Sequence, residues 1–166
     1  MWSEKEQQEL DEILKKYPPD RKLSAVLPAL YLAQREKNWL DDDDIQAVAE
    51  ALDIPVTHVH SIIGFYTLFR KEPVGKYMVQ FCTDLPCALR GAEAFYKRFC
   101  ERMGLGPHGG TTEDGIFTVE EVVCIAACDR VPCMQVNLDY YEDLTDEKID
   151  EIIAALRRST NGVGSS

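Results

Sequence analysis

A chain of 166 residues, 45% hydrophobic and 28% charged, is long enough for one substantial core or for two smaller ones, and its composition is that of a soluble globular protein. A formal charge of −11 argues against binding nucleic acid or an anionic membrane surface and favours a neutral or basic protein partner. No apolar stretch approaches the ~20 residues that span a bilayer. The start Met1-Trp2-Ser3-Glu4-Lys5-Glu6 has neither secretory nor transit character, so the expected location is cytoplasmic.

The first seventy residues read as helices. Residues 4–16 carry Leu10, Ile13 and Leu14 at helical spacing, and Tyr17-Pro18-Pro19 stops them. Asp20 is placed to cap a second helix with the stripe Leu23, Val26, Leu27 and Leu30. A third helix runs from Asp41-Asp42-Asp43-Asp44 through Ile45, Val48, Ala49 and Leu52. Pro55 suits the first turn of a fourth, bearing Val56, Val59, Ile62 and Ile63. The apolar run Gly64-Phe65-Tyr66-Thr67-Leu68-Phe69 follows, and such runs are more often core than interface.

After Pro73-Val74-Gly75 the period changes. Residues 76–81 alternate as a half-buried strand, with Tyr77, Val79 and Phe81 on one face. Residues 89–103 return to helical spacing through Ala92, Phe95, Tyr96 and Phe99, and 104–110 form a loop. Strands are predicted over 116–123 and 133–138, with a short one over 140–142 after a turn at Asp139. Thr145 caps a last helix with Ile149, Ile152, Ile153 and Leu156 inward, and 159–166 is expected to be a loose tail. The second half is thus an α/β layer compatible with a thioredoxin-like arrangement. Its strand pairing cannot be read from the pattern.

Six cysteines require an explanation, because reducing cytoplasm disfavours structural disulfides and favours metal or redox chemistry. Cys82 and Cys87 have four residues between them, and Cys124 and Cys128 have three. Each pair follows a predicted strand. If those strands are neighbours, four thiolates converge from two short loops at one sheet edge. A [2Fe–2S] cluster wants two terminal ligands on each iron, which two short-spaced pairs provide. Pro86 stiffens the first loop, while Ala126 and Ala127 keep the second small and leave backbone N–H groups free to donate to sulfur. Structural zinc, which also accepts four thiolates at such spacings, is the alternative. A thioredoxin-like thiol catalyst would need Cys-x-x-Cys, which is absent.

The runs Pro73-Val74-Gly75-Lys76-Tyr77 and Cys82-Thr83-Asp84-Leu85-Pro86-Cys87-Ala88-Leu89-Arg90-Gly91-Ala92 closely resemble the small iron–sulfur subunit (NuoE-type) of NADH:quinone oxidoreductase, respiratory complex I. So do Glu120-Glu121-Val122-Val123-Cys124-Ile125-Ala126-Ala127-Cys128 and Tyr140-Tyr141-Glu142-Asp143-Leu144-Thr145. The resemblance covers residues from about 17 to 156. It implies a helical bundle over 1–72, a thioredoxin-like domain over 73–158, and one [2Fe–2S] cluster on Cys82, Cys87, Cys124 and Cys128. It further implies a larger flavoprotein partner that carries FMN and a [4Fe–4S] cluster and binds NADH, within a multi-subunit complex. On this reading the chain relays single electrons, contributes no acid, base or nucleophile, and sits peripheral to the membrane through its complex. Similar subunits serve NAD-linked hydrogenases, including electron-bifurcating ones, and formate dehydrogenases. Two positions depart from the family pattern, which usually has glycine at Ala126 and an apolar non-cysteine at Cys133. A zinc-stabilised interaction module and a free ferredoxin-like carrier are the competing classes; the long helical extension argues against the carrier.

Other features have plainer readings. Cys100 reads as a buried apolar residue, and Cys133 as core packing on a strand, although its closeness to Cys128 would also let it substitute as a ligand or tune the cluster. The four aspartates read as a helix cap, not a metal site. His58 and His60 point to different helix faces, and the loop 104–110 lacks the Lys-Ser/Thr of a phosphate-binding loop.

Overall fold

The computed structural model describes residues 2–161, and the chain divides into two compact units between Pro73 and Val74. In the first unit, α1 (Glu4–Leu14) opens on a reciprocal cap. The Ser3 hydroxyl accepts the Glu6 N–H, and the Glu6 carboxylate accepts the Ser3 N–H. Next comes a 3-10 segment, Pro19–Ala25, and only then α2 (Val26–Gln34), so Asp20 lies inside the 3-10 turns and caps no α-helix as expected. Pro28 is the reason. It has no N–H to give, and its ring would strike the carbonyl of Ser24, so it fits only the first turn of an α-helix that begins at Val26. Leu23, expected in the stripe, is correspondingly exposed.

The aspartate run does cap α3 (Asp42–Leu52): Asp41 and Asp44 exchange backbone N–H bonds, with the Lys37 ammonium beside both carboxylates. Helix α4 (Val56–Phe65) starts directly after Pro55. One core gathers Leu10, Leu30, Leu40, Ile45, Val48 and Val59. Of the aromatic run, Phe69 is buried, but Phe65 is 78% exposed and Tyr66 is exposed too, which corrects the core reading. Phe65 stands two residues past inward Ile63, roughly 200° round the helix, and therefore faces outward.

The second unit holds β1 (Tyr77–Cys82), α5 (Leu85–Ala88), α6 (Ala92–Arg102), β2 (Gly110–Thr111), β3 (Phe117–Val122), β4 (Met134–Val136), β5 (Asp139–Tyr141) and α7 (Asp146–Asn161). The sheet order is β2-β3-β1-β4-β5, with β1 and β3 parallel and the other pairs antiparallel. This is the expected α/β architecture with a mixed sheet. Strand β1 is central, and Met78 and Gln80 are buried as well as Val79 and Phe81, where alternation predicted one exposed face. Gln80 tolerates this because its amide donates to the Glu120 carboxylate on β3 at 2.7 Å. The main core sets Val79, Phe81, Phe117 and Met134 against Phe95, Tyr96 and Phe99 of α6 and Ile149 of α7. Phe81 and Phe99 meet in a tilted ring contact with centroids 4.8 Å apart.

The β4–β5 hairpin turns one step earlier than expected. Val136 pairs with Asp139, leaving Asn137 and Leu138 as a two-residue loop with both φ positive, the signature of a type I′ turn. The Asn137 side chain then accepts the Met78 N–H at 2.7 Å and donates to the Lys76 carbonyl at 2.9 Å, tying this turn to the start of β1. Thr145 caps α7 by accepting the Lys148 N–H. Helix α7 takes in residues up to Asn161, and the remainder of the expected tail lies outside the described residues. Among the described residues no helix is long and apolar enough to cross a membrane.

Candidate metal centre

Parallel pairing of β1 with β3 sets Cys82 opposite Val122, so the chain leaves both strands at the same sheet edge. The Thr83 N–H continues the ladder to the Val122 carbonyl. This is the neighbour relation that the two cysteine pairs require. Cys82 closes β1, Cys87 sits on the short helix α5, and Cys124 and Cys128 occupy the loop after β3. The helical turn that carries Cys87 is built by Pro86 in its first turn and by the Ala88 N–H donating to the Asp84 carbonyl.

The sulfurs are close. Cys82 Sγ and Cys87 Sγ lie 3.2 Å apart, and both are fully buried. The third thiol of this buried group is Cys133: the Sγ atoms of Cys82, Cys87 and Cys133 all fall within 4.8 Å of one another. Among the described residues no other set of three His, Cys, Asp or Glu ligand atoms is drawn so tightly. Cys128 is half-buried against the same apolar pocket, formed by Ala92, Ile125, Ala127 and Val131. Cys124 stands outermost and exposed, its sulfur accepting the Ala126 N–H at 3.3 Å. The donation from backbone to sulfur expected of this loop is therefore present. None of the six cysteines is paired in a disulfide.

The second loop is shaped by strain and anchored by its neighbours. Ala126 adopts φ +59°, the left-handed conformation that a glycine takes without cost. Ile125 and Ala127 on either side are buried, and the Tyr140 hydroxyl of β5 donates to the Ile125 carbonyl at 2.8 Å. No sequence pattern marked Tyr140 for this role, because it depends on where β5 lands.

Burial acts on the thiols in one direction. It pushes the Cys87 thiol well above its ordinary range, with the adjacent Cys82 sulfur adding to the effect. It raises Cys133 to about 11, with Cys82 as the next cause, and it raises Cys128, with Cys124 contributing. Several thiolates cannot share so small an apolar pocket without cationic charge among them. A metal centre supplies that charge and holds coordinating thiols deprotonated. The donor set is soft and sulfur-only, and three of its sulfurs, those of Cys82, Cys87 and Cys133, already lie together while Cys124 and Cys128 stand outside that trio; such thiolate donors fit an iron–sulfur cluster.

Three apolar side chains interleave with the cysteines and stay exposed: Leu85 at 69%, Leu89 at 79% and Val123 at 78%. Elsewhere the plainer readings hold. Cys100 is buried in the main core beside Tyr96, and the aspartates serve as the α3 cap. Cys133 is buried too, but among the other cysteines and not in the main sheet core.

Comparison with known proteins agrees with this geometry. The family described as thioredoxin-like [2Fe-2S] ferredoxin matches residues 10–157. The E-type subunit of the NADH-quinone oxidoreductase of Rickettsia prowazekii (strain Madrid E) is 44% identical over 142 residues, covering 85% of this chain and 80% of that protein. Its counterpart in Mycobacterium bovis (strain ATCC BAA-935 / AF2122/97) is 38% identical over 149 residues, covering 90% of this chain and 58% of that one. Among solved structures, an NAD+-reducing [NiFe]-hydrogenase in its H2-reduced state superposes with a TM-score of 0.66 at 19% identity. That match covers 78% of this chain and 22% of the hydrogenase chain, and speaks for the fold. The cysteine-lined edge of a mixed sheet and the match along residues 10–157 lead to one statement: this chain belongs to the thioredoxin-like [2Fe–2S] ferredoxin family, alongside the E-type subunits of NADH-quinone oxidoreductases.

Proposed function

We propose that this chain is an electron-transfer subunit of an NADH:quinone oxidoreductase-type complex, holding one [2Fe–2S] cluster on Cys82, Cys87, Cys124 and Cys128. Bound there, the cluster supplies one-electron transfer, exchanged with the FMN of a partner flavoprotein that oxidises NADH. The observation that carries this reading is the parallel β1–β3 pair, which sends both cysteine loops from one sheet edge. The chain's own part is to position and shield. Cys82 and Cys87 are held in the buried pocket, and the Ala126 N–H directs its partial positive charge at the Cys124 sulfur. Leu85, Leu89 and Val123 supply apolar surface beside the site for the partner to cover, which suits an obligate subunit.

A zinc-stabilised interaction module is the second reading, because the buried Cys82, Cys87 and Cys133 trio is compact enough for a single ion. Anaerobic purification followed by visible spectra and assays for iron, sulfide and zinc separates the two. A red-brown chain with two irons and two sulfides that bleaches with dithionite is the expected result. A colourless chain with one tight zinc refutes the redox reading. Cys124→Ser and Cys128→Ser should alter or abolish the spectrum, whereas Cys100→Ser should leave it unchanged. Co-purification with an FMN-containing, NADH-oxidising partner tests the assignment to a complex.

A further inference from the structure

Resting on the cluster reading above, we infer that Cys133 is a reserve ligand: a fifth thiol able to take an iron position when Cys82 or Cys87 leaves it. Backbone register provides the first argument. The antiparallel β1–β4 ladder pairs Val79 with Val136, Gln80 with Gln135 and Phe81 with Met134. The next step of that ladder sets Cys82 against Cys133, and the Cys82 N–H donates to the Cys133 carbonyl at 3.4 Å. Directly opposed residues project to the same face with Cβ atoms about 4.5–5.5 Å apart. Cys133 is therefore aimed at the site by the sheet itself, not by a loop that must rearrange.

Sulfur geometry provides the second argument. A tetrahedral ion with bonds of ~2.3 Å to thiolate sulfur sets its ligands ~3.8 Å apart. The Cys82–Cys87 separation of 3.2 Å and the 4.8 Å limit on every pair within the trio bracket that distance. Small side-chain rotations are enough to let Cys133 join either partner on one iron. Its surroundings complete the case: Cys133 is 1% exposed and packs with Cys82, Cys87, Ala127, Val131 and half-buried Cys128. A cysteine serving only as an apolar filler would be expected among the Phe and Val side chains of the main core, as Cys100 is. The exchange needs no oxidant. The iron–sulfur bond to Cys82 or Cys87 breaks and the departing thiolate takes up a proton, while the Cys133 thiol gives up its own as its sulfur–iron bond forms, so that no electron is transferred and the net change is one ligand for another.

The test uses the full-length chain, loaded and purified without air. Wild type and Cys133→Ala should both hold two irons and two sulfides with the same visible circular dichroism. Cys87→Ala should retain iron and sulfide with a changed spectrum. Cys87→Ala combined with Cys133→Ala should lose both iron and sulfide. Cys87→Ala combined with Cys133→Ser should shift the charge-transfer bands to shorter wavelength, as oxygen replaces sulfur. Cys82→Ala, run in parallel, should give the same pattern through Cys87 and Cys133, and keeps the test decisive if Cys87→Ala does not fold. The inference is overturned if a Cys87→Ala chain that is folded by far-UV circular dichroism holds no iron. It is equally overturned if adding Cys133→Ala changes neither iron content nor spectrum. A wild-type chain without iron refutes the cluster reading itself and takes this inference with it, so the two failures are told apart by the first sample.

Discussion

Replacing Ala126 by glycine should stabilise the protein, and the size of the gain follows from one dihedral angle. Ala126 sits at φ +59° between Cys124 and Cys128, where an L-residue with a Cβ costs about 1–2 kcal/mol. Its side chain is exposed, so removing the methyl group sacrifices no buried apolar area. Glycine adds conformational freedom to the unfolded chain, which takes back about 0.4–1 kcal/mol. Taking the middle of each range, the net expectation is a stabilisation of about 0.8 kcal/mol. The loop feels this as part of the folded core, because buried Ile125 and Ala127 and the Tyr140 hydroxyl bond hold it in place. With a urea slope of about 2 kcal/mol per molar, the unfolding midpoint of the metal-free chain should rise by about 0.3–0.5 M, followed by far-UV circular dichroism. Ala126→Val puts a β-branched side chain at the same angle and should move the midpoint the other way. A midpoint that stays put or falls in Ala126→Gly would refute the claim that this loop carries backbone strain.

Gly109→Ala should destabilise by more than about 2 kcal/mol, because φ is +78° and the new Cβ would stand 2.2 Å from the Val119 carbonyl oxygen on β3; urea midpoints check it. Tyr140→Phe removes the donor to the Ile125 carbonyl and should cost about 0.5–1.5 kcal/mol, together with faster extraction of the cluster by a chelator. Acid should weaken the helical unit through Asp41, whose carboxyl is held down at about 2 from an ordinary 3.8 by the Lys37 ammonium and the Asp44 N–H. A depressed carboxyl contributes fully above about pH 4, and that contribution is lost as pH falls towards 2. Asp41→Asn, which still caps α3, should flatten this part of the pH profile in urea titrations between pH 5 and 2.

Much of the fold was legible because its signals are local. Apolar spacing and caps marked α1, α3, α4, α6 and α7, and Ser, Asp or Thr side chains cap three of these in the structure. The reading failed where the deciding force was not a period. Pro28 divided the second helix by steric exclusion, and Phe65 turned outward through its position on α4. The four-residue helix α5 and the two-residue strand β2 are too short to show a pattern at all. The turn at Asn137 and Leu138 uses a leucine at positive φ, where glycine is the usual signal, so the residue pattern points one step too late.

The candidate site divides along the same line. By itself, the sequence determined that Cys82 and Cys124 fall at or just past the ends of strands and that each has a second cysteine a few residues on, since alternation and spacing are properties of adjacent residues. Which strands lie side by side is set by how the apolar faces of distant segments pack, and no local pattern encodes it. Tertiary structure alone decided that β1 and β3 are parallel neighbours, so that two loops far apart in the chain leave one edge together. The β1–β4 register likewise set Cys133 against Cys82 and put a fifth thiol in the pocket, because a one-residue slip would have turned that side chain to the opposite face of the sheet.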